Sequence, residues 1–254
     1  MDLHLTGKRA LVTGSTSGIG RAIAQALAAE GVEVLIHGRD PERAKETAEA
    51  IGADFTLGDL TTNAQDVIDA AQGVDILVNN AAASTGDDWL AGGPENWLDL
   101  YNTNVASAVR LIAALTPHMR RQGWGRVIQI SSAAHPYPLP MKAAYSATKA
   151  ALSNLTVSLS KDLSGTGVTA NTISPGPTLT DNFRHLAETV ARKNNTDTAT
   201  ATRTLLSGPL ANPSARLAEP HEIAALTALV ASPLSASING ANLRIDGGFT
   251  PTVN

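Results

Sequence analysis

The sequence predicts an α/β fold, a parallel sheet with helices on both faces, on three observations. Short, near-continuously apolar runs alternate with longer helix-forming stretches. The first such run passes straight into a glycine-rich turn that opens a helix. The 254 residues, 43% hydrophobic and 17% charged, are enough for a large buried core.

Residues 9–13 (RALVT), 32–37 (VEVLIH), 53–57, 75–79 (DILVN), 126–131 (RVIQIS), 168–173 and 241–245 read as strands. Strands alternating with helices require right-handed crossovers, so the strands run parallel. Residues 21–30 and 41–51 carry helical patterns, the second well punctuated: Asp40 can cap it, Pro41 suits its first turn and Gly52 follows its end. Residues 95–121 and 143–163 also read as long helices. There is no linker and no internal repeat, so residues 1–254 are expected to form one catalytic domain. The irregular part is 193–216, rich in Thr, Asn, Ser and Pro. It reads either as a surface loop or as part of a mobile lid spanning about 178–216.

Composition excludes several classes. A net charge of -4 offers no basic field for nucleic acid. No apolar run reaches membrane-spanning length, and residues 1–7 lack the basic-then-apolar order of a signal peptide. The absence of cysteine removes disulfides, thiol nucleophiles and thiolate metal sites. His4, His37, His118, His135, His185 and His221 are scattered without ligand spacing, so no metal is expected. A cytoplasmic protein fits this composition.

The turn after the first strand reads Thr13-Gly14-Ser15-Thr16-Ser17-Gly18-Ile19-Gly20. Glycines let backbone turn sharply and approach a pyrophosphate, whose charge the amides at a helix start can meet. The spacing is G-x-x-x-G-x-G rather than the commoner G-x-G-x-x-G, and a tight strand–helix turn would also use it. The second strand ends at His37-Gly38-Arg39. With Gly38 removing a carboxylate and Arg39 able to pair with a 2′-phosphate, NADP(H) is expected in preference to NAD(H). Arg39 as a solvated charge blunted by Asp40 is the other reading. Asp59, followed by Leu60, is placed to reach an adenine amino group or simply to make a turn. Asn79-Asn80-Ala81-Ala82 puts small and polar residues where backbone would lie against a cofactor, or merely ends its strand.

Tyr145 and Lys149 stand four apart in a helical stretch and so share one face. A free phenol, of pKa about 10, is a poor base near neutrality; an ammonium nearby favours the phenolate and suits it to general acid/base work. Ser131 and Ser132 close the preceding strand, at the sheet end where ligands collect. The Ser132 hydroxyl can then share a substrate oxygen with Tyr145, although strand-end serines also satisfy loop amides.

Taken in order, the 13–20 loop, Asp59, Asn79-Asn80-Ala81, Asn104, Ser132, Tyr145-x-x-x-Lys149, Pro175-Gly176 and Asp246-Gly247-Gly248 resemble the short-chain dehydrogenase/reductase family across essentially the whole chain. The resemblance implies a Rossmann-type, doubly wound sheet of seven strands. It implies a tetrad in which Ser132 orients a carbonyl, Tyr145 transfers the proton, Lys149 binds the nicotinamide ribose and lowers the tyrosine pKa, and Asn104 holds a relay water. It makes 175–180 the nicotinamide loop, with Thr178 or Thr180 meeting the carboxamide. It implies a small carbonyl or alcohol substrate, with walls from 82–89, 133–141 and 178–216, and a homotetramer or dimer built on the 95–121 and 143–163 helices. A 3-oxoacyl-thioester reductase and a non-catalytic dinucleotide sensor are the alternatives. Ala82 departs from the family's usual glycine, which puts the geometry near the nicotinamide in question.

Overall fold

The computed structural model describes residues 1–85, 89 and 93–252. Its sheet has seven strands: β1 (Arg9–Val12), β2 (Glu33–Gly38), β3 (Asp54–Leu57), β4 (Ile76–Asn79), β5 (Gly125–Ile130), β6 (Val168–Pro175) and β7 (Asn242–Ile245). They lie in the order β3-β2-β1-β4-β5-β6-β7, every pair parallel. Each lies within about two residues of its sequence-based boundary, as the apolar runs dictate.

Side chains alternate across each strand and feed two cores. On one face Ala10, Val12, Ile36, Val78 and Ile128 pack with Ile23 and Leu27 of α1 (Gly18–Ala29) and Ile223 of α9 (Pro220–Ala231). On the other, Leu11, Leu77 and Val127 pack with Leu111, Leu115 and Met119 of α5 (Ser107–Gln122). Each fully buried aliphatic side chain stabilises the fold by about 1.5–3 kcal/mol. The strand order reverses between β1 and β4, and the crevice above that switch point is where a doubly wound sheet binds ligands.

α2 (Pro41–Ile51) has the expected bounds: Asp40 accepts from the amides of Glu42 and Arg43, and Gly52 closes it at φ 73°. α3 (Ala64–Ala70) links β3 to β4, and α6 (Ala143–Asp162) links β5 to β6. Two expectations need correction. The segment 95–121 is not one regular helix: α4 (Pro94–Tyr101) and α5 are joined by a π-helical turn, Asn102–Ala106, which contains Asn104. The segment 193–216 is not irregular throughout. It carries α8 (Thr198–Ser207), which packs on α7 (Asp181–Lys193). Threonines are poor helix formers, but Asp197 caps the Thr200 amide and Thr202 and Thr204 bond back to the carbonyls four residues earlier. Leu205 then packs with Phe183 and Ala187, and Ala201 is buried.

Candidate active site

Polar atoms of the loop after β1 tie it to β2 and to the segment after β4. The Thr13 hydroxyl accepts from the Asn80 and Ala81 amides at 2.9 and 3.0 Å. The Asn80 side-chain amide donates to the carbonyls of Thr13 and Gly14. Asn80 therefore fixes the loop with its side chain rather than offering that group to a ligand. Ser15 was expected at the cofactor, yet its side chain is fully buried: its hydroxyl donates to Val12 O and accepts from the His37 amide. It joins β1 to β2.

The outward side of the loop fits a pyrophosphate. Gly14 and Gly18 hold φ values of 62° and 54°, and a Cβ on Gly20 would stand 2.4 Å from the Gly14 carbonyl. Ser17 precedes α1 without a side-chain cap bond among the described residues, and the first turn has no acidic residue. The first amides of α1, with Thr16 and Ile19 beside them, are thus left for an anion.

His37 is a positioning group that sequence reasoning passed over. Its Nδ1 accepts from the Gly14 amide at 3.1 Å, so the proton sits on Nε2, 3.0 Å from the Gly58 carbonyl. Burial holds its pKa below the ordinary histidine value, which keeps the ring neutral. Gly38 follows because a Cβ there would strike Thr16 at 2.5 Å. Arg39 is 79% exposed and reaches Asp59 at 3.9 Å, a surface pair of small energetic weight. One oxygen of Asp59 is taken by the Thr61 amide and hydroxyl, which hold its carboxyl below the usual range, while Leu60 is buried beneath.

Ser132, Tyr145 and Lys149 come together at the carboxyl end of β5, as their spacing predicts. Tyr145, partly buried in the first turn of α6, hydrogen-bonds Ser132. The Lys149 ammonium lies 5.6 Å from the Tyr145 ring centre and donates to the Ile130 carbonyl at 2.7 Å. The expected depression of the tyrosine pKa is not what this arrangement gives. Burial pushes the phenol up and the Ser132 hydroxyl pulls it down by less, so Tyr145 is a protonated acid before any ligand arrives. Burial also lowers the lysine, to about 8.

Asn104, in the π-helical turn, reaches across to Ala83 and Thr148. Its amide oxygen accepts from the Ala83 amide at 2.8 Å, and its nitrogen donates to the Ala83 carbonyl and the Thr148 hydroxyl, both at 3.0 Å. The side chain thereby clamps the segment that leaves Ala82. Ala81 presses on Gly14, where a Cβ would meet its Cα at 3.0 Å.

After β6, Gly176 passes so close to Asp246 that a Cβ would lie 2.6 Å from its Cα. Thr178 bonds back to the Gly176 carbonyl, and Thr180 caps α7 with its methyl group beside Gly18. The Pro175–Gly176–Thr178–Thr180 segment thus meets the glycine loop across the crevice. Asp246 ties down the Gly248 and Thr250 amides, and a Cβ on Gly247 or Gly248 would strike the 212–214 turn. Of the expected substrate walls, 133–141 lies between Ser132 and Tyr145; residues 86–88 lie outside the described residues. Among the described residues no group of His, Asp or Glu gathers as a metal site, and no helix is long and apolar enough to cross a membrane.

A family model described as short chain dehydrogenase matches residues 8–191. An oxidoreductase of Bacillus subtilis is 38% identical, each chain covered completely. A 3-oxoacyl-[acyl-carrier-protein] reductase of Vibrio cholerae is 33% identical, over 97% of this chain and 99% of that one. Among solved structures, the L-sorbose reductase of Gluconobacter frateurii complexed with NADPH and L-sorbose superposes with a TM-score of 0.95, at 30% identity and full coverage of both chains. The chain belongs to the short-chain dehydrogenase family, as an NAD(P)-dependent oxidoreductase of carbonyl and alcohol groups.

Proposed function

We propose that the protein is an NADPH-dependent carbonyl reductase in which Tyr145 is the general acid, acting from one 1–254 domain. The observation that carries this is the partly buried, protonated Tyr145 hydrogen-bonded to Ser132 with Lys149 against its ring. The dinucleotide would be held by Gly14, Thr16, Ser17, Gly18, Ile19 and Gly20 at its pyrophosphate, by Arg39 at a 2′-phosphate, and by Asp59 and Leu60 at its adenine. Ala81, Tyr145, Lys149 and the Pro175, Gly176, Thr178 and Thr180 segment would meet its nicotinamide half. When bound, the nicotinamide supplies the hydride for reduction or accepts it for oxidation.

The protein's own part is proton transfer and charge stabilisation. Ser132 and Tyr145 donate to the substrate oxygen, each donor contributing about 2.7–4 kcal/mol as negative charge develops there. Tyr145 then delivers its proton to that oxygen. Cationic Lys149, 5.6 Å from the ring, stabilises the phenolate left behind. Asn104 keeps the Ala83 backbone in place beside this centre. We assign 178–216 a lid role, supported by its separate small core of Phe183, Ala187 and Leu205. A homotetramer or dimer and a cytoplasmic location complete the proposal.

The NADP preference is supported by exposed Arg39 and by neighbours such as the NADPH-bound L-sorbose reductase. Reduction of a panel of simple ketones, keto-sugars and acetoacetyl thioesters, followed by loss of reduced-nicotinamide absorbance, tests the assignment. At least about a tenfold lower KM for NADPH than for NADH is expected. No turnover of any member with either cofactor would contradict it. Turnover confined to the thioesters would favour 3-oxoacyl-thioester reduction, the activity named for the Vibrio cholerae relative.

A further inference from the structure

The turn that carries Ser132 is tethered to the carboxyl-terminal strand by side chains the catalytic scheme does not use. Within the turn, the Ser132 hydroxyl accepts from the Ala134 amide and its carbonyl accepts from the His135 amide, both at 3.1 Å. The Tyr137 amide donates to the Ala133 carbonyl at 3.2 Å. The His135 ring leaves this turn and meets Asn242, the first residue of β7, with 3.0 Å between Nε2 and the Asn242 amide nitrogen. The Asn242 amide oxygen is taken by the hydroxyl of Ser174, a fully buried residue of β6, at 2.6 Å. With the Asn242 nitrogen facing the histidine, Nε2 accepts and the ring is neutral with its proton on Nδ1. Burial, which lowers the His135 pKa, agrees with that protonation state.

A second tether lies two residues on. The Tyr137 ring stands edge-on to Phe249 with centroids 5.6 Å apart, and Phe249 belongs to the turn that Asp246 organises. Neither tether is needed to build the sheet, since β6 and β7 pair from Thr172–Asn242 to Pro175–Ile245 through their backbones. What both hold is the loop between the two residues that would grip the substrate oxygen.

We propose that His135 is a positioning residue, acting through Asn242 to fix the Ser132 turn and the 133–141 substrate wall, so that β7 and the Asp246–Thr250 turn help decide which carbonyl is accepted. The proposal rests on the Ser132–Tyr145 reading above.

The test compares wild type, His135→Gln, His135→Phe, Asn242→Ala and the His135→Phe/Asn242→Ala double variant on the same carbonyl panel. Thermal midpoints and NADPH titrations accompany the kinetics. The glutamine oxygen can accept from Asn242, so His135→Gln should keep KM within about twofold of wild type. His135→Phe and Asn242→Ala should each raise KM for the preferred substrate by about fivefold, the weight of one hydrogen bond, and compress the spread of kcat/KM across the panel. The double variant should be no worse than either single one, because both remove one tie. Additive losses, an unchanged KM, or losses that follow a falling thermal midpoint would overturn the proposal. Wild type inert on every carbonyl would instead overturn the Tyr145 reading.

Discussion

Lys149 is 3% exposed, with its ammonium on a backbone carbonyl, and its pKa falls from 10.5 to about 8 because burial penalises the charged form. A lysine depressed on folding binds fewer protons in the folded chain, so stability rises with pH between the two values and is flat below the lower one. For the protein without cofactor, the stability of wild type relative to Lys149→Met should therefore climb from about pH 8 to about pH 10.5. The climb should amount to about 3 kcal/mol in urea titrations, and a pH-independent difference would contradict this. Spacing alone made Tyr145 and Lys149 neighbours, and the lysine does lie against the ring. Spacing could not give the depth of burial, which reverses the expected direction of the tyrosine shift. The inward turn of Ser15 and the role of His37 were not legible for a related reason: a local motif does not reveal that a side chain reaches a neighbouring strand or loop.

At the level of elements, caps and glycines were the most legible signals. Asp40, Pro41 and Gly52 bound α2 as written in the sequence. The π-turn at Asn102–Ala106 and the threonine-rich α8 were not legible, since the first has no local signature and the second is stabilised by packing on α7. Two glycine substitutions separate function from stability. Gly20→Ala places a methyl group 2.4 Å from the Gly14 carbonyl and the Asn80 amide, so the loop backbone must shift. It should weaken NADPH binding by at least about tenfold in fluorescence titration. Gly52→Ala meets nothing within 4 Å among the described residues but keeps φ at 73°. It should cost about 1–2 kcal/mol of stability in denaturant unfolding and leave NADPH affinity unchanged. The reverse pattern would show that the Gly14–Gly20 cradle is only a structural turn.

Across the whole molecule, the order of apolar runs predicted a parallel sheet because strands covered on both faces cannot alternate in polarity. It did not by itself fix the strand order, which depends on where the crossovers reverse. Exposed Leu98 and Tyr101 on α4, Val109 on α5 and Val157 on α6 leave apolar surface on the helices proposed for self-association. Light scattering on the eluting protein should give a mass of two or four chains; a monomer at micromolar concentration would contradict that part of the proposal. The reversal of strand order between β1 and β4 sets the glycine loop and Asn80 together, and α6 carries Tyr145 and Lys149 to Ser132 at the end of β5. The central claim is that this phenol gives the proton. Tyr145→Phe, assayed with the best carbonyl of the panel and titrated with NADPH, tests it most directly. The expected result is a fall in kcat of at least about 10²-fold with NADPH affinity within about twofold of wild type. A kcat near the native value would contradict it.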